Sequence, residues 1–345
     1  MTTDPRTEAL LDGEGARRLI EALQGARTLL LTTHEGPDAD GLGSELALAR
    51  ALRRLGKRVF IRNTDPPARR FQFLNEGGDL VAFRNEDQSL VRDADLVLLV
   101  DTAELRRTGR VGEAIRRREG PTLALDHHAA GDETLPGLLG PDFSSTGEMV
   151  AGLLSGLGVP LTPDLAAPLY AAILFDTAQF RFCRNDPGTF RVAAALVEAG
   201  ADAEAIGKRL FGSARRDARV LEARILNDAR FECHGRLAWA AVEPRHLQGL
   251  QVDRDEIRSL VNLLGDIEGV EVACLFKSGE STLKVSLRSR GRHPVLPVAE
   301  ALGGGGHPFA AGADVPWDLA TAIDRTLPSL RRMLGEDGAG ATPRP

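Results

Sequence analysis

The first half of the chain alternates short apolar runs with longer stretches in which apolar residues recur every three or four positions. "TLLLTT" (28–33), "RVFIRN" (58–63), "LVLLV" (96–100) and "TLALD" (122–126) have strand length and near-continuous apolarity, as strands covered on both faces require. Among them, "SELALARALRRLG" (44–56) places Leu48, Ala51, Leu52 and Leu55 at i, i+3, i+4 and i+7, with Gly56 as the stop. This alternation predicts an α/β fold with a doubly wound, mostly parallel sheet. From about 145 to 225 the pattern turns helical, in "STGEMVAGLLSGLG", "DLAAPLYAAILFDT", "PGTFRVAAALVEAG" and the charged, connector-like "RDARVLEARILNDAR". A smaller α+β unit follows. "RLAWAAV" reads as a strand, "DEIRSLVNLLGDI" as a helix, and "VEVACLFK" and "STLKVSLRS" as two strands joined by a short loop. The expected organisation is a catalytic-type α/β domain over 1–190, a helical linker over 191–228, an α+β domain over 229–332 and a disordered tail over 333–345.

Composition narrows this picture. A chain of 345 residues suits two domains, and 43% hydrophobic with 27% charged residues is the balance of a folded soluble protein. No apolar run approaches the ~20 residues that span a bilayer, and the acidic N-terminus lacks a secretory signal's apolar core, so the cytoplasm is the expected compartment and no membrane partner is expected. Three distant cysteines, Cys183, Cys233 and Cys274, fit neither a disulfide framework nor a thiolate zinc site. The net charge of −6 disfavours tracking along long nucleic acid, so any such ligand should be short or held locally.

Candidate chemistry starts at "HEGPDADG" (34–41). Pro37 disfavours helix at Gly36, so His34, Asp38 and Asp40 are expected on a loop beyond the first strand, where open α/β sheets bind ligands. The run "LVLLV" ends on Asp101 and "TLALD" on Asp126, followed by His127 and His128. One such aspartate is usually a cap or turn residue; several at one sheet edge would repel without a cation. Carboxylate with imidazole suits Mn²⁺, with Mg²⁺ or Co²⁺ as alternatives.

"DHH" after a strand, with "HEGPDADGLGS" upstream, "SSTGE" downstream and "SLRSRG…ALGGGGHPFAAG" (287–312) further on, resembles the DHH/DHHA1 phosphoesterase superfamily. The similarity runs in order over about 20 to 315 and is closest to the nanoRNase-type oligoribonuclease and phosphoadenosine-phosphate phosphatase branch. The resemblance implies two Mn²⁺ ions, one on His34, Asp38 and Asp101, the other on Asp40, Asp101, His127 and Asp176, with Asp101 bridging. It implies that Asp126 orients the histidines and that His128 faces the phosphate. Two departures stand out: Ala178 replaces the usual glycine after Asp-Thr, and Gly36 precedes Pro37 where many relatives carry asparagine.

In the second domain the alternation of "STLKVSLRS" sets Leu283, Val285 and Leu287 on one face and Lys284, Ser286 and Arg288 on the other. The glycines of "GGGGH" (303–307) are expected to form a packed turn whose N–H groups approach an anion. Arg288, Ser286, Gly304, Gly305, Gly306 and His307 are thus candidates for holding a nucleotide or terminal phosphate, and Arg181 and Arg184 for lining the cleft. The expected partners are short RNA or DNA oligonucleotides and small phosphorylated nucleotides such as 3′-phosphoadenosine 5′-phosphate, with the second domain closing over the cleft; a homodimer stays open. A RecJ-like exonuclease and a cyclic or linear di-adenylate phosphodiesterase are the alternatives within the superfamily. A silent nucleotide-binding regulator is the alternative outside catalysis.

Overall fold

In the computed structural model, which describes residues 5–128, 134–183, 186–212, 214–253, 256–257, 260–279 and 282–335, the chain separates into two units, 1–213 and 214–345. The predicted tail lies outside the described residues from 336 onward, as does Arg184. The first unit contains β1 (Thr28–Thr32), β2 (Arg58–Asn63), β3 (Leu80–Ala82), β4 (Leu96–Val100), β5 (Thr122–Asp126) and β6 (Gly137–Leu139). They pair in the order β3-β2-β1-β4-β5-β6, all parallel. The three-residue edge strands β3 and β6 carry no pattern long enough to read in the sequence. Strand order reverses between β1 and β4, which opens a crevice beyond their carboxyl ends.

The helices of this unit are α1 (Pro5–Asp12), α2 (Glu14–Gly25), α3 (Ala39–Arg54), α4 (Gln88–Asp93), α5 (Gly109–Ile115), α6 (Thr146–Gly156), α7 (Pro163–Asp176), α8 (Pro187–Glu198) and α9 (Ala203–Phe211). Alternate strand residues feed two apolar layers. Leu29, Leu31, Leu98 and Val100 pack with α3, α6 and α7, while Leu30, Val97 and Leu99 pack with α4 and α5. Between the sheet and α7, helix α3 is buried on nearly every side from Ala39 to Ala49. Leu55, assigned from periodicity to its apolar face, is instead the C-cap residue and stays exposed.

The second unit holds α10 (Arg216–Asn227), α11 (Pro244–Leu247), α12 (Leu260–Gly265), α13 (Leu296–Ala301) and α14 (Leu319–Met333). Its strands are β7 (Arg230–Glu232), β8 (Leu237–Val242), β9 (Val272–Ser278), β10 (Leu283–Ser289), β11 (Gly305–His307) and β12 (Ala310–Val315). They form a sheet in the order β11-β12-β10-β9-β8-β7, antiparallel except for β8 with β9. Val272, Cys274, Val285 and Leu287 pack with α14, and Ala238, Ala240, Ala273 and Leu275 with α10 and α12. The division between the units falls inside the predicted linker. Leu196 and Ile206 of α8 and α9 join the first core, and Leu221 and Ile225 of α10 join the second. No helix among the described residues is long and apolar enough to cross a membrane.

Gly43 brings α3 against α7, where an added methyl would run into the Pro168 carbonyl oxygen. Gly43→Ala should therefore destabilise the first unit by about 1–3 kcal/mol through overpacking. A lowered urea midpoint at unchanged slope is the expected reading.

Candidate metal centre

The loop leaving β1 is anchored at several amides. Thr33 N–H donates to Asn63 Oδ1 (3.0 Å), Glu35 N–H to the Arg107 carbonyl (2.7 Å) and Gly36 N–H to Asp65 Oδ2 (2.8 Å). Gly36 has φ 60°, a region glycine and asparagine both tolerate, so the departure at this position keeps the backbone path. His34 donates from Nδ1 to the Glu35 carbonyl (2.9 Å), which turns Nε2 toward the crevice.

Asp40 corrects the sequence reading: it lies in the first turn of α3, not on the loop. Asp38 is the N-cap, its Oδ1 accepting from Asp40 N–H (3.0 Å) and Gly41 N–H (3.4 Å), and this cap starts the helix five residues before the predicted point. The fully buried Asp40 carboxylate accepts from Thr146 N–H and Gly147 N–H, both at 2.8 Å, at the N-terminus of α6. That helix end favours an anion. Thr146 also donates from Oγ1 to Asp101 Oδ1 (2.9 Å). Sequence reasoning gave Thr146 and Gly147 no role. The signal was available: Ser145 accepts from Glu148 N–H (3.1 Å), the helix-start signature that "SSTGE" spells.

Asp101, just past β4, is left-handed at φ 61°, which turns its carboxylate into the crevice. Its Oδ2 lies 3.4 Å from His34 Nε2, and its Oδ1 3.7 Å from His127 Nε2 and 3.8 Å from His128 Nδ1. His127 Nε2 is also 3.7 Å from Asp40 Oδ2 and 3.4 Å from Asp176 Oδ2, while His34 Nε2 is 3.9 Å from Asp38 Oδ2. Asp126 was expected to orient both histidines. It accepts from His128 Nδ1 (2.6 Å) and His128 N–H (3.1 Å), whereas His127 donates from Nδ1 to the Phe143 carbonyl (3.3 Å). Asp176 is the last residue of α7. Ala178, Gln179 and Phe180 then follow in left-handed conformation, at φ 46°, 63° and 63°. Ala178 therefore sits where glycine would be unstrained, at about 1–2 kcal/mol.

The donors gather as His34, Asp38 and Asp101; Asp40, His127 and Asp176; and Asp101, His127 and His128, each set within 4.8 Å. Two ligands of one small divalent cation, bound at about 2.1 Å, stand roughly 3.0–3.5 Å apart, and the spacings here come within a few tenths of an ångström of that. His127 Nε2 is buried with no hydrogen-bond partner among the described residues, and it faces three carboxylates. A divalent metal fits these residues. Burial, with the charges of Asp101, Asp176 and Asp38, raises the Asp40 pKa well above the usual carboxylate range. Burial and the charges of Asp101 and Asp38 raise Asp176 to about 6, against the opposing pull of His127. Burial alone would lower His34, but its bond to Asp101 and the charges of Asp38 and Asp101 raise it to about 9. Asp101 stays below the carboxylate range despite burial, held there by His34, His128 and His127.

In the second unit Arg288 and His307 both pair with Ala310, and Ser286 and Gly305 both pair with Gly312, so the backbone sets these residues in two adjacent rows. Gly305 to His307 form an edge strand, where the sequence suggested a turn. The reason is close approach: a side chain on Gly304 or Gly306 would strike the backbone of β12. Arg288 Nε donates to Asn262 Oδ1 (3.0 Å). Of the other histidines, His246 pairs with Asp228 (2.9 Å) and His293 with Glu271 (2.8 Å), and neither belongs to a donor set.

Folded His34 keeps a proton that the unfolded chain releases near pH 6.5, and folded Asp176 does likewise above pH 3.8. Both shifts make the metal-free chain lose stability as pH rises, through about 4–6 for Asp176 and about 6.5–9 for His34. Divalent cation should reverse the trend by replacing those protons, so its stabilisation grows with pH. Melting curves in chelator and in Mn²⁺ across this range check both halves; a metal-free melting temperature that rises from pH 6.5 to 9 would contradict them.

The profile of the DHH family N-terminal domain matches residues 28–173, and that of the DHHA1 domain residues 236–332. The chain is 34% identical over 327 residues to the bifunctional oligoribonuclease and PAP phosphatase NrnA of Thermus thermophilus, covering 93% of this chain and 94% of the relative. It is 28% identical over 327 residues to the NrnA of the same description from Bacillus subtilis, covering 92% and 98%. The solved structure of an exopolyphosphatase-related protein from Bacteroides fragilis has the same fold, with a TM-score of 0.86 at 20% identity over 93% of this chain and 98% of that one. On this evidence of sequence and fold the chain belongs to the DHH–DHHA1 phosphoesterase family, hydrolases that act on phosphoester bonds.

Proposed function

We propose that the chain is a Mn²⁺-dependent phosphoesterase that hydrolyses short oligonucleotides to mononucleotides and 3′-phosphoadenosine 5′-phosphate to AMP. One observation carries the metal half: Asp101 turns one oxygen toward His34 and the other toward His127, as a carboxylate shared by two cations must. The substrate half is supported by the two NrnA relatives, both described as bifunctional oligoribonuclease and PAP phosphatase and matched over nearly their whole lengths. His34, Asp38 and Asp101 would hold one Mn²⁺, and Asp40, Asp101, His127 and Asp176 the other; Mg²⁺ or Co²⁺ are substitutes for the same donors. Bound there, two such cations supply an acidified water and a counter-charge for phosphate oxygens.

The chain's own residues do the rest. Thr146 and the first amides of α6 hold Asp101 and Asp40 in place, so the ligands need little reorganisation. His128, fixed by Asp126, is the donor assigned to a phosphate oxygen. Arg288, Ser286, the glycines 304–306 and His307 are assigned to the nucleotide or its terminal phosphate, a role supported by their shared strand register. A silent regulator is disfavoured, since such a protein has no need of six intact ligands.

With Mn²⁺, a dinucleotide and 3′-phosphoadenosine 5′-phosphate should be cleaved faster than a long single strand or cyclic di-adenylate; the reverse order sinks the substrate assignment. Asp101→Asn should cut hydrolysis by on the order of 10³-fold or more while the chain stays folded. Arg288→Ala should raise KM about tenfold and leave kcat nearly unchanged.

A further inference from the structure

Glu45 is fully buried on α3 beside Leu42, Leu46, Leu48 and Ala49, and it belongs to none of the donor sets. A carboxyl there is expensive. Burial raises its pKa to about 8, and an apolar side chain would pack at the same helix position without that penalty. Its Oε2 accepts from Asn63 Nδ2 at 2.7 Å, while Oε1 has no hydrogen-bond partner among the described residues.

Asn63 explains the bond. It ends β2, pairs with Ala82 of β3, and its carbonyl accepts from Phe83 N–H (2.8 Å), so its backbone is fixed. The ladder between β1 and β2 ends at Leu31 with Ile61, two residues short of Thr33. Thr33 N–H donates instead to Asn63 Oδ1 at 3.0 Å, a side chain standing in for the missing strand partner. Because Oδ1 must face that N–H, Nδ2 points the other way, into a space closed to water, and needs an acceptor. Glu45 is that acceptor. The next residue along the chain from Thr33 is His34.

We propose that Glu45 and Asn63 are positioning residues, a buried relay from α3 through the Asn63 amide to Thr33 that fixes the backbone entering His34. The relay rests on the reading of His34, Asp38 and Asp101 as a metal-binding set. Its consequence is that metal affinity depends on a hydrogen bond two links away from any ligand.

Calorimetric titration of the full chain with MnCl₂ tests it, with Asp101→Asn as the control for ligand loss. Glu45→Leu should weaken Mn²⁺ binding about tenfold or more, and Glu45→Gln should keep it, because an amide oxygen accepts the same bond. Asn63→Asp alone sets a second carboxyl against Glu45 in a space closed to water, where the pair carries a charge that no donor beyond their shared proton offsets, and should weaken binding. Adding Glu45→Gln to Asn63→Asp should restore it, since donor and acceptor then exchange places. That exchange conserves volume and carries the test where Glu45→Leu fails to fold. Unchanged affinity in a folded Glu45→Leu, equal loss in Glu45→Gln, or no restoration by the exchange overturns the relay alone. A parent chain that binds no Mn²⁺ overturns the metal reading and the relay with it.

Discussion

Like charges held a few ångströms apart in a half-dry site repel strongly, and folding alone would spread them out. Asp38, Asp40, Asp101 and Asp176 instead converge at the carboxyl edge of one sheet. Neighbouring groups soften the repulsion without removing it. The amides opening α6 hold Asp40, Thr146 holds Asp101, and three imidazoles share the remaining field. Asp176 has the least help, because it ends a helix, where the backbone's own negative pole disfavours a carboxylate. Divalent cation is the one partner that satisfies all four together.

The arrangement depends on where the elements stop. The candidate ligands come from the loop after β1, the cap and first turn of α3, the residues just past β4 and β5, and the last residue of α7. Asp40, Asp101, His127 and Asp176 thus lie on regular elements or directly beyond them, while Asp38 is fixed as a helix cap and His34 by the anchored loop that leaves β1. Such anchoring gives a site positional precision that free loops lack. The reversal of strand order between β1 and β4 supplies the opening into which they project.

Much of this was legible in the sequence. Asp101, Asp126 and His127 follow continuous apolar runs, so their place at a sheet edge could be read directly. Asp40 was misplaced because "ADGLGS" has poor helix propensity, and the helix start depends on a cap that only geometry reveals. Asp176 was visible only through family resemblance, since an acid at a helix end is ordinarily a solvated residue. Glu45 drew no notice in the sequence: it stands one turn before Leu48 and Ala49 on α3, and the reason for a carboxyl there shows only in its bond to Asn63 of β2. The strands β3 and β6 are too short for any periodicity to show.

Left-handed backbone at Asp101 and at Ala178 to Phe180 has a bearing on how this protein can change over time. Any selection for robustness alone, in evolution or in the laboratory, would find relief at both places. At Ala178 the relief costs no ligand. At Asp101 the substitutions that ease the turn and the crowding of charge are those that erase the carboxylate facing both His34 and His127. Heat-tolerant descendants that kept their chemistry would therefore be expected to gain stability elsewhere and to leave this turn alone.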